Sequence, residues 1–274
     1  MQNDFSHLFD LSGKVALVTG GAGIQGKRIT QGLATYGADI AIIDLNAEVV
    51  EKQAISLAKT FGINALGIEC DVSDKDAVST MVETVVEKLG KIDVLHNNAA
   101  SKSENPSNFF VPFEEFDFDV WRQVMSVNID GMFLVAQKVG KQMLVQGHGG
   151  SIIQTSSTYG LVGPDFRIYE GSEYMGSKIT TPAAYAASKG AVLQLTRYLA
   201  SYWGSEGIRV NTLVPGGISS GQNKVFVKSY SERVPLGRMA NVDEMVGAVV
   251  FLASDASSYM TGQMLVVDGG WTAW

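Results

Sequence analysis

The first hundred residues alternate short apolar runs with longer segments of helical spacing, and this alternation restricts the fold more than any other feature. Short apolar runs bounded by turn residues are typical of buried strands, whereas apolar side chains three and four positions apart are typical of helices. The predicted strands are Val15–Thr19, Asp39–Asp44, Ala65–Cys70 and Ile92–His96, and the predicted helices are Ile24–Tyr36, Ala47–Phe61 and Asp74–Leu89. Such alternation predicts an α/β fold: a parallel sheet with helices on both faces.

The alternation continues through the rest of the chain, with irregular interruptions at residues 101–116 and 158–182. We predict the first to be a loop and the second to be an inserted substrate loop or lid. Further helices are predicted over Val120–Val145, Tyr185–Trp203 and Asn241–Ala253, and further strands over Ser151–Thr155, Ile208–Val214 and Met264–Val267. Because one α/β sheet can extend over about 250 residues, residues 1–274 are predicted to form a single doubly wound, Rossmann-type domain.

Charge and cysteine content exclude several classes of protein. A net charge of −7 disfavours binding to the phosphate backbone of nucleic acids. The longest apolar run, Met245–Ala253, is too short to span a membrane, and Met1–Leu11 lacks the apolar region of a signal peptide. Cys70 has no partner for a disulfide. We therefore predict a cytoplasmic protein with no nucleic-acid or membrane partner and no metal ion.

A glycine-rich loop joins the first predicted strand to the first predicted helix. Residues 21–26 match the pattern G-x-G-x-x-G. In this setting the glycines let the backbone approach a pyrophosphate, and the helix N-terminus offers free N–H groups to the anion. The loop therefore predicts a dinucleotide site that includes Gly20, Gly23, Ile24, Gln25 and Gly26.

Asp44 ends the second predicted strand, where an acidic side chain can bond both ribose hydroxyls of NAD. Leu45 and Asn46 follow it, so the arginine or lysine that would hold a 2′-phosphate is missing. This arrangement predicts NAD as the cofactor, preferred over NADP. The alternative role for Asp44 is the N-cap of the following helix.

The pattern Tyr-x-x-x-Lys occurs twice, at Tyr185–Lys189 and at Tyr174–Lys178. On a helix, residues four apart share a face. A lysine cation beside a phenol lowers the tyrosine pKa and makes the tyrosine usable as a general acid or base. We select Tyr185 because it begins a helix with clear apolar periodicity, whereas Tyr174 lies in the irregular segment beside Gly176.

Taken together, these motifs resemble the short-chain dehydrogenase/reductase family over nearly the whole chain. The resemblance rests on Thr19–Gly26, Asp44, Asp71-Val72, Asn97–Ala100, Asn128, Ser156-Ser157, Tyr185 with Lys189, Pro215-Gly216 and Asp268–Gly270, in this order. It implies hydride transfer between a nicotinamide cofactor and a carbon that bears a hydroxyl or carbonyl group. The cofactor would carry out the hydride chemistry, and the protein would orient the reactants and supply the electrostatic environment.

The resemblance implies catalytic roles for four residues. Ser157 would bond the substrate oxygen, and Tyr185 would transfer the proton. Lys189 would hold the nicotinamide ribose and lower the pKa of Tyr185, while Asn128 would hold a water that links Lys189 to solvent. Ser157 is preferred to Ser156 because the family uses the later serine, and strand alternation sends the two to opposite faces. Alternatively, Asn128 ties a helix kink to a neighbouring strand.

The resemblance also implies contacts with each part of the cofactor. Asp71 and Val72 would bracket the adenine, Asn98 would lie under a ribose, and Pro215 to Ile218 would contact the nicotinamide amide. The full set of expected cofactor-binding residues is Gly20, Gly23, Ile24, Gln25, Gly26, Asp44, Leu45, Asp71, Val72, Asn98, Tyr185, Lys189, Pro215, Gly216 and Ile218.

Three positions depart from the family pattern. Ile24 stands where the loop normally has its middle glycine, which gives the glycine spacing of extended, epimerase-type relatives. Ala100 replaces a usual glycine, and its methyl group is expected to crowd the cofactor slightly. Ser157 and Tyr185 are 28 positions apart, which is longer than the family needs and points to an insertion on the active-site side.

The inserted segment indicates the class of substrate. It carries Tyr159, Asp165, Arg167, Tyr169, Glu170, Glu173, Tyr174 and Lys178, a set suited to a sugar or polyol. Residues 159–171 also resemble a loop of bacterial oxidoreductases of surface-sugar biosynthesis, of the legionaminic-acid kind. The alternative for residues 158–182 is a disordered surface insertion.

Two other functions compete with a sugar or polyol dehydrogenase. The glycine spacing suggests a sugar-nucleotide epimerase or dehydratase, although such relatives carry a longer C-terminal substrate domain. A non-catalytic NAD sensor is disfavoured by Asn128, Ser157, Tyr185 and Lys189. The family resemblance implies a homotetramer, and Val192, Leu195, Leu199, Trp271 and Trp274 are candidates for either its interface or the core.

Overall fold

A seven-stranded parallel sheet forms the centre of the molecule. The computed structural model describes residues 5–101, 106–174 and 176–274. Its strands are β1 (Val15–Thr19), β2 (Asp39–Asp44), β3 (Ala65–Glu69), β4 (Val94–Asn97), β5 (Gly150–Thr155), β8 (Ile208–Pro215) and β9 (Met264–Val267), while β6 (Glu173–Tyr174) and β7 (Ser177–Lys178) form a separate antiparallel hairpin. The strand order is β3-β2-β1-β4-β5-β8-β9. The order reverses direction between β1 and β4, and ligands bind at such a crevice in open α/β sheets.

Helices cover both faces of the sheet, as predicted. They are α1 (Ile24–Thr35), α2 (Ala47–Phe61), α3 (Lys75–Leu89), α4 (Pro106–Phe109), α5 (Phe118–Met125), α6 (Met132–Gln146), α7 (Thr158–Leu161), α8 (Ala183–Trp203), α9 (Lys224–Glu232) and α10 (Val246–Ala253). Residues of α1, α2 and α10 share one buried apolar core with the sheet, and residues of α3, α6 and α8 share the other. The doubly wound, Rossmann-type prediction is therefore confirmed.

The predicted loop at 101–116 is only partly correct. Residues 102–105 lie outside the described part of the chain, whereas α4 and a short 3₁₀ turn at Phe113–Glu115 follow.

Helix α9 was not predicted at all. It begins after Asn223, whose side chain accepts a hydrogen bond from the Phe226 backbone N–H, and buries only Phe226 and Tyr230.

The long helix predicted over Val120–Val145 contains a π turn. Between α5 and α6, Ser126–Gly131 takes a wider helical turn. At this point the helix passes close to Val72, since a Cβ atom on Gly131 would lie 2.8 Å from its Cγ2 atom. The π turn contains Asn128, whose side chain is fully buried.

The inserted segment is ordered where it is described. It contains α7, a 3₁₀ turn at Phe166–Tyr169 and the β6–β7 hairpin. Its aromatic side chains pack against α9 and Trp271 in a third apolar cluster, which includes Ile168, Phe226 and Tyr230. The alternative of a disordered surface insertion is therefore wrong for these residues.

Candidate active site

The glycine loop turns tightly between β1 and α1. Gly20 has a φ of +61°, in the left-handed region. A Cβ atom on Gly26 would lie 2.1 Å from the Gly20 carbonyl oxygen, so only glycine fits there. Ile24, in the position of the family's middle glycine, is 62% exposed and begins α1 with its side chain directed outward. The substitution therefore leaves the tight turn intact.

Asp44 holds the glycine loop and does not cap the next helix. Its carboxylate accepts hydrogen bonds from the backbone N–H groups of Ala22 at 3.0 Å and Leu45 at 2.8 Å. The cap of α2 is Asn46, whose Oδ1 atom accepts from the Val49 N–H at 3.0 Å. The alternative role of Asp44 as an N-cap is therefore wrong, and its carboxylate lies at the carboxyl end of β2.

A cleft at the carboxyl ends of β1–β4 has the form needed for a dinucleotide. It encloses about 1500 Å³ when the open space at its mouth is counted. Among the described residues, the Nε2 atom of Gln25 is buried without a hydrogen-bond partner. A buried donor without a partner is costly, so this amide and the glycine loop fit a bound phosphate-bearing group. The predicted residues that line the cleft are Gly20, Gly23, Ile24, Gln25, Gly26, Asp44, Leu45, Asp71, Val72 and Asn98.

Several residues of this cleft were missed by the sequence reasoning. Ile43, Cys70, Ser73, Ala99, Ser101, Gln123, Ser126 and Val127 also line it, together with Ala100, whose methyl group was expected to lie against the cofactor. Most of them lie near the end of a strand, and that position is the signal that could have found them. Burial raises the pKa of the Cys70 thiol to about 11, so it stays protonated at neutral pH.

Two side chains brace the loop from behind. Gln53, buried on α2, donates from Nε2 to the Gly21 carbonyl oxygen at 3.0 Å and to the Thr30 hydroxyl at 2.9 Å. Asn98 donates from Nδ2 to the Thr19 carbonyl oxygen at 3.2 Å. Asn98 therefore joins β1 to β4 as well as lining the cleft.

Lys189 lies on α8 and points to the end of β5. Its side-chain nitrogen is 2.9 Å from the carbonyl oxygen of Thr155 and 5.9 Å from the centre of the Tyr185 ring. The residue is 2% exposed. Burial disfavours the ammonium ion and lowers the pKa of Lys189 to about 8.

The Tyr185 phenol lies beside the Ser157 side chain and this lysine. Burial raises the pKa of Tyr185 above its usual value, and the nearby Ser157 side chain opposes the rise. Desolvation of the phenolate therefore dominates the pKa of Tyr185 in the protein alone, and its lowering by Lys189 stays a prediction. Ser156 faces away and donates to the Lys189 carbonyl oxygen at 2.7 Å, so the two serines do diverge as predicted.

Asn128 connects the π turn to both parts of the site. Its Oδ1 atom accepts from the Ser101 backbone N–H at 2.8 Å, and its Nδ2 atom donates to the Ser188 hydroxyl at 3.2 Å. Ser101 lines the cleft, whereas Ser188 precedes Lys189. The structure therefore brings Asn128 between the dinucleotide cleft and α8. Its side chain ties the π turn to the segment after β4 and to a helix, and not to a strand as the alternative had it.

The remaining predicted residues lie at the same edge of the sheet but outside the lining of the cleft. Pro215 ends β8 beside Val267, and the Gly216 N–H donates to the Val267 carbonyl oxygen at 2.9 Å. Gly216 lines a separate cavity of about 400 Å³ with Tyr230. Ile218 pairs with Ala240 in an isolated bridge.

The second Tyr-x-x-x-Lys motif is not helical. Tyr174 and Lys178 belong to the β6–β7 hairpin, where the i and i+4 spacing of a helix does not apply. The Tyr174 side chain lies outside the described part of the chain. Within the described ranges, no group of three His, Cys, Asp or Glu side chains could hold a metal ion, and no helix is both long and apolar enough to cross a membrane.

Comparisons with known proteins agree with this geometry. A family model described as enoyl-(acyl carrier protein) reductase matches residues 20–272. The chain is 37% identical over 270 residues to a 2-dehydro-3-deoxy-D-gluconate 5-dehydrogenase of Pseudoalteromonas atlantica, covering 96% of this chain and 97% of that protein. It is also 37% identical to a D-threitol dehydrogenase of Mycolicibacterium smegmatis over 272 residues, covering 96% and 95%.

A solved structure shares the fold over the same length. A gluconate 5-dehydrogenase from Burkholderia cenocepacia, in complex with NADP and tartrate, superposes with a TM-score of 0.86 at 34% identity and covers 98% of each chain. The family match across nearly the whole chain, the parallel sheet and the grouping of Ser157, Tyr185 and Lys189 agree with one another. The chain belongs to the short-chain dehydrogenase/reductase family.

Proposed function

We propose that the protein is an NAD(P)-dependent oxidoreductase that interconverts a secondary alcohol and a ketone on a sugar or polyol. The observation that carries the proposal is the grouping of Ser157 and Tyr185, with Lys189 over the Tyr185 ring, beside a cleft of dinucleotide form. The relatives act on sugar acids and polyols by their names, and the inserted segment suits a substrate of this kind.

Each side chain of the group has a distinct task. When bound, the nicotinamide supplies the hydride acceptor or donor. In the oxidation direction, Ser157 donates to the substrate oxygen and holds the hydroxyl against Tyr185. Tyr185 accepts the hydroxyl proton, and in the reverse direction it returns that proton to the carbonyl oxygen. Lys189 would donate to the nicotinamide ribose and, when protonated, would stabilise the Tyr185 phenolate.

Asn128 is proposed to act through a water molecule. Its amide already bonds Ser101 and Ser188, which leaves its orientation fixed. A water held there would pass protons between Lys189 and solvent. Substitution of Asn128 tests whether the residue relays protons or only supports the structure. Loss of the relay should lower kcat more strongly at low pH than at high pH, whereas loss of structural support should lower the melting temperature.

We propose NAD as the preferred cofactor because of the charge of Asp44. Its carboxylate stands at the end of β2, and Leu45 and Asn46 beside it are uncharged. A 2′-phosphate at this position would meet a negative charge, while two ribose hydroxyls would find an acceptor. The Burkholderia relative holds NADP in its crystal, so the preference is a property to be measured in this chain.

Residues 158–182 are proposed to shape the substrate side of the site. The segment starts directly after Ser157 and ends just before α8, which carries Tyr185. Any movement of this segment would therefore act directly on the two residues that hold the reacting oxygen.

Enoyl reduction is disfavoured because three residues separate Tyr185 from Lys189, which is shorter than the spacing of enoyl reductases.

We further propose a cytoplasmic homotetramer. The buried, unpaired Cys70 is compatible with a reducing compartment. Val192, Leu199 and Trp271 lie in the core, so they do not form the interface, whereas Trp274 is exposed. Phe133 on α6 and the stacked pair Tyr198 and Tyr202 on α8 leave large apolar surface exposed, which favours contact with further copies.

An activity screen tests the function. The purified protein is mixed with NAD or NADP and with D-threitol, galactitol or gluconate, and reduction of the cofactor is followed by absorbance. Turnover of at least one of these with NAD is expected. Measurable NADH binding without turnover in either direction would favour a non-catalytic sensor, and stereochemical inversion without net cofactor reduction would favour an epimerase.

A further inference from the structure

Three hydroxyl groups of the inserted segment meet beside the catalytic residues. The Tyr169 hydroxyl lies 3.1 Å from that of Tyr159 and 2.5 Å from that of Thr181. We call these three residues the hydroxyl cluster. They come from separate parts of the segment, so its fold is what brings them together.

The hydroxyl cluster borders the place where the reacting oxygen is held. Tyr159 follows Ser157 by two positions, and its backbone N–H lies 3.3 Å from the Ser157 hydroxyl oxygen. Thr181 precedes α8, four positions before Tyr185. Tyr169 is close enough to Tyr185 for a charge on one phenol to raise the pKa of the other. The cluster therefore lies next to both residues that contact the substrate oxygen.

Aromatic packing holds the two tyrosine rings in place. The Tyr169 ring stacks on the Phe226 ring of α9, with the ring centres 5.4 Å apart. The Tyr159 and Trp271 rings pack in an edge-to-face arrangement, with the ring centres 6.4 Å apart. Trp271 in turn stacks on Tyr230 at 4.5 Å. Because the rings are packed from behind, their hydroxyls are presented with little loss of side-chain freedom on binding.

The cluster is uncharged at neutral pH. Burial raises the pKa of both Tyr159 and Tyr169 above the ordinary phenol value. A neutral hydroxyl donates one hydrogen bond and accepts others. A substrate hydroxyl can therefore replace one bond within the cluster by an equivalent bond at small net cost, whereas an apolar group would leave a buried hydroxyl without a partner.

We propose that Tyr169, with Tyr159 and Thr181, is a specificity-determining residue that binds a second hydroxyl group of a polyhydroxylated substrate, on the carbon chain next to the reacting carbon. This inference rests on the proposed function and adds to it the groups that recognise the substrate. It predicts selection for polyols over alcohols that carry a single hydroxyl.

The substitution Tyr169→Phe removes one hydroxyl and keeps the ring on Phe226. We expect KM for D-threitol and galactitol to rise about tenfold or more, as for a site that loses a hydrogen bond to a substrate hydroxyl. For cyclohexanol, which has no second hydroxyl, kcat/KM should change less than about twofold, and NADH affinity should stay constant. Thr181→Val should act in the same direction. Tyr259→Phe, at a fully exposed position, is the matched control.

A binding measurement keeps the test open if cyclohexanol turns over too slowly. D-threitol should raise the melting temperature of the NADH-loaded wild type and should do so less for Tyr169→Phe. Equal losses on D-threitol and cyclohexanol would overturn the inference, because they would mean that the cluster only holds the segment in shape. An unchanged KM would also overturn it. If the wild type oxidises none of these alcohols, the proposed function fails first.

Discussion

The side-chain nitrogen of Lys189 lies 2.9 Å from the carbonyl oxygen of Thr155, the last residue of β5. This hydrogen bond fixes the lysine against the sheet before any ligand arrives. It also ties α8, which carries Tyr185, to the strand that leads into Ser157. The fold thereby sets the distance between the Tyr185 phenol, which we propose transfers the proton, and Ser157.

We expect the buried Lys189 to make cofactor affinity depend on pH. Since the pKa of Lys189 is lowered to about 8, the side chain is mostly charged below pH 8 and mostly neutral above it. Attraction for the anionic cofactor is therefore present at pH 7 and is lost as the pH rises through 8. We expect the Kd of NADH, measured by fluorescence titration, to increase over this range in the wild type. In Lys189→Met it should be higher at pH 7 and nearly flat, whereas exposed Lys178→Met should follow the wild type.

Loss of the Tyr185 hydroxyl should abolish turnover without loss of cofactor binding. Positioned proton transfer contributes about 10²- to 10⁴-fold to rate, so Tyr185→Phe should lower kcat by at least about 10²-fold while the Kd of NADH stays within about twofold. Steady-state kinetics and titration provide the two readouts. Tyr174→Phe, in the non-helical motif, should retain activity. If Tyr174→Phe abolished turnover and Tyr185→Phe did not, the selection of Tyr185 as the residue that transfers the proton would be wrong.

Two substitutions separate the charge of Asp44 from its structural contacts. Asp44→Asn keeps an acceptor for the Ala22 N–H and removes the charge, whereas Asp44→Ala removes both. We expect the ratio of kcat/KM for NAD to that for NADP to fall about tenfold or more in both variants, since a repelled 2′-phosphate becomes tolerated. Only Asp44→Ala should also weaken binding of both cofactors. An unchanged ratio in both would remove Asp44 from the ribose site.

Asp165 should hold the inserted segment against α9. Its carboxylate lies 2.8 Å from Arg167 and 3.1 Å from Arg233, just beyond α9. These partners lower the pKa of Asp165 to about 2. Because this value is below the ordinary 3.8, the ion pairs are complete above about pH 4 and are lost as the pH falls toward 2.

Limited trypsin digestion tests this connection at neutral pH. Asp165→Asn should speed cleavage after the exposed Arg167 several-fold, as seen by mass spectrometry of the fragments. Asp255→Asn, which removes an exposed ion pair with Lys14 far from the segment, should digest like the wild type. Equal rates for all three proteins would show that the segment is held by its aromatic packing alone.

The exposed aromatic pair on α8 should mark a subunit contact. Tyr198 and Tyr202 are 61% and 65% exposed and stack at 5.9 Å. We expect sedimentation velocity to give a tetramer for the wild type and smaller species for Tyr202→Glu, because a charge would be buried in the contact. Tyr36→Glu, on another exposed tyrosine, is the control. A monomeric wild type would contradict the proposal.

Strands and helices with two independent signals were predictable to within a residue or two. β1, β2, β9 and α2 have the predicted ends because an apolar run or helical period coincides with a turn residue or a cap. Helix α9 was missed because it has nine residues, a polar surface and only two buried side chains. Its stability comes from contacts with Trp271 and the inserted segment, which no local pattern reveals.

The candidate site was predictable where one segment supplies the chemistry. The glycine loop and the Tyr185–Lys189 pair each occupy one turn, so their spacing alone indicates their geometry. The raised pKa of Tyr185 was not predictable, since it comes from burial of the side chain in the folded protein. The hydroxyl cluster was not predictable either, because Tyr159, Tyr169 and Thr181 meet only through the fold of residues 158–182.

The π turn at Ser126–Gly131 lets the two parts of one helix direct their side chains toward different partners. A π turn holds one residue more than an α turn, so it rotates everything after it by about 100° relative to an unbroken α helix. Before the π turn, α5 packs on α8 through Val124. After the π turn, α6 packs on the sheet through Val135 and Val139. Deletion of one residue in this turn would restore an ideal helix and yet force a choice between core packing and the aim of Asn128. The irregularity therefore lets one helix keep its packing surface and also direct Asn128 toward the proposed proton path.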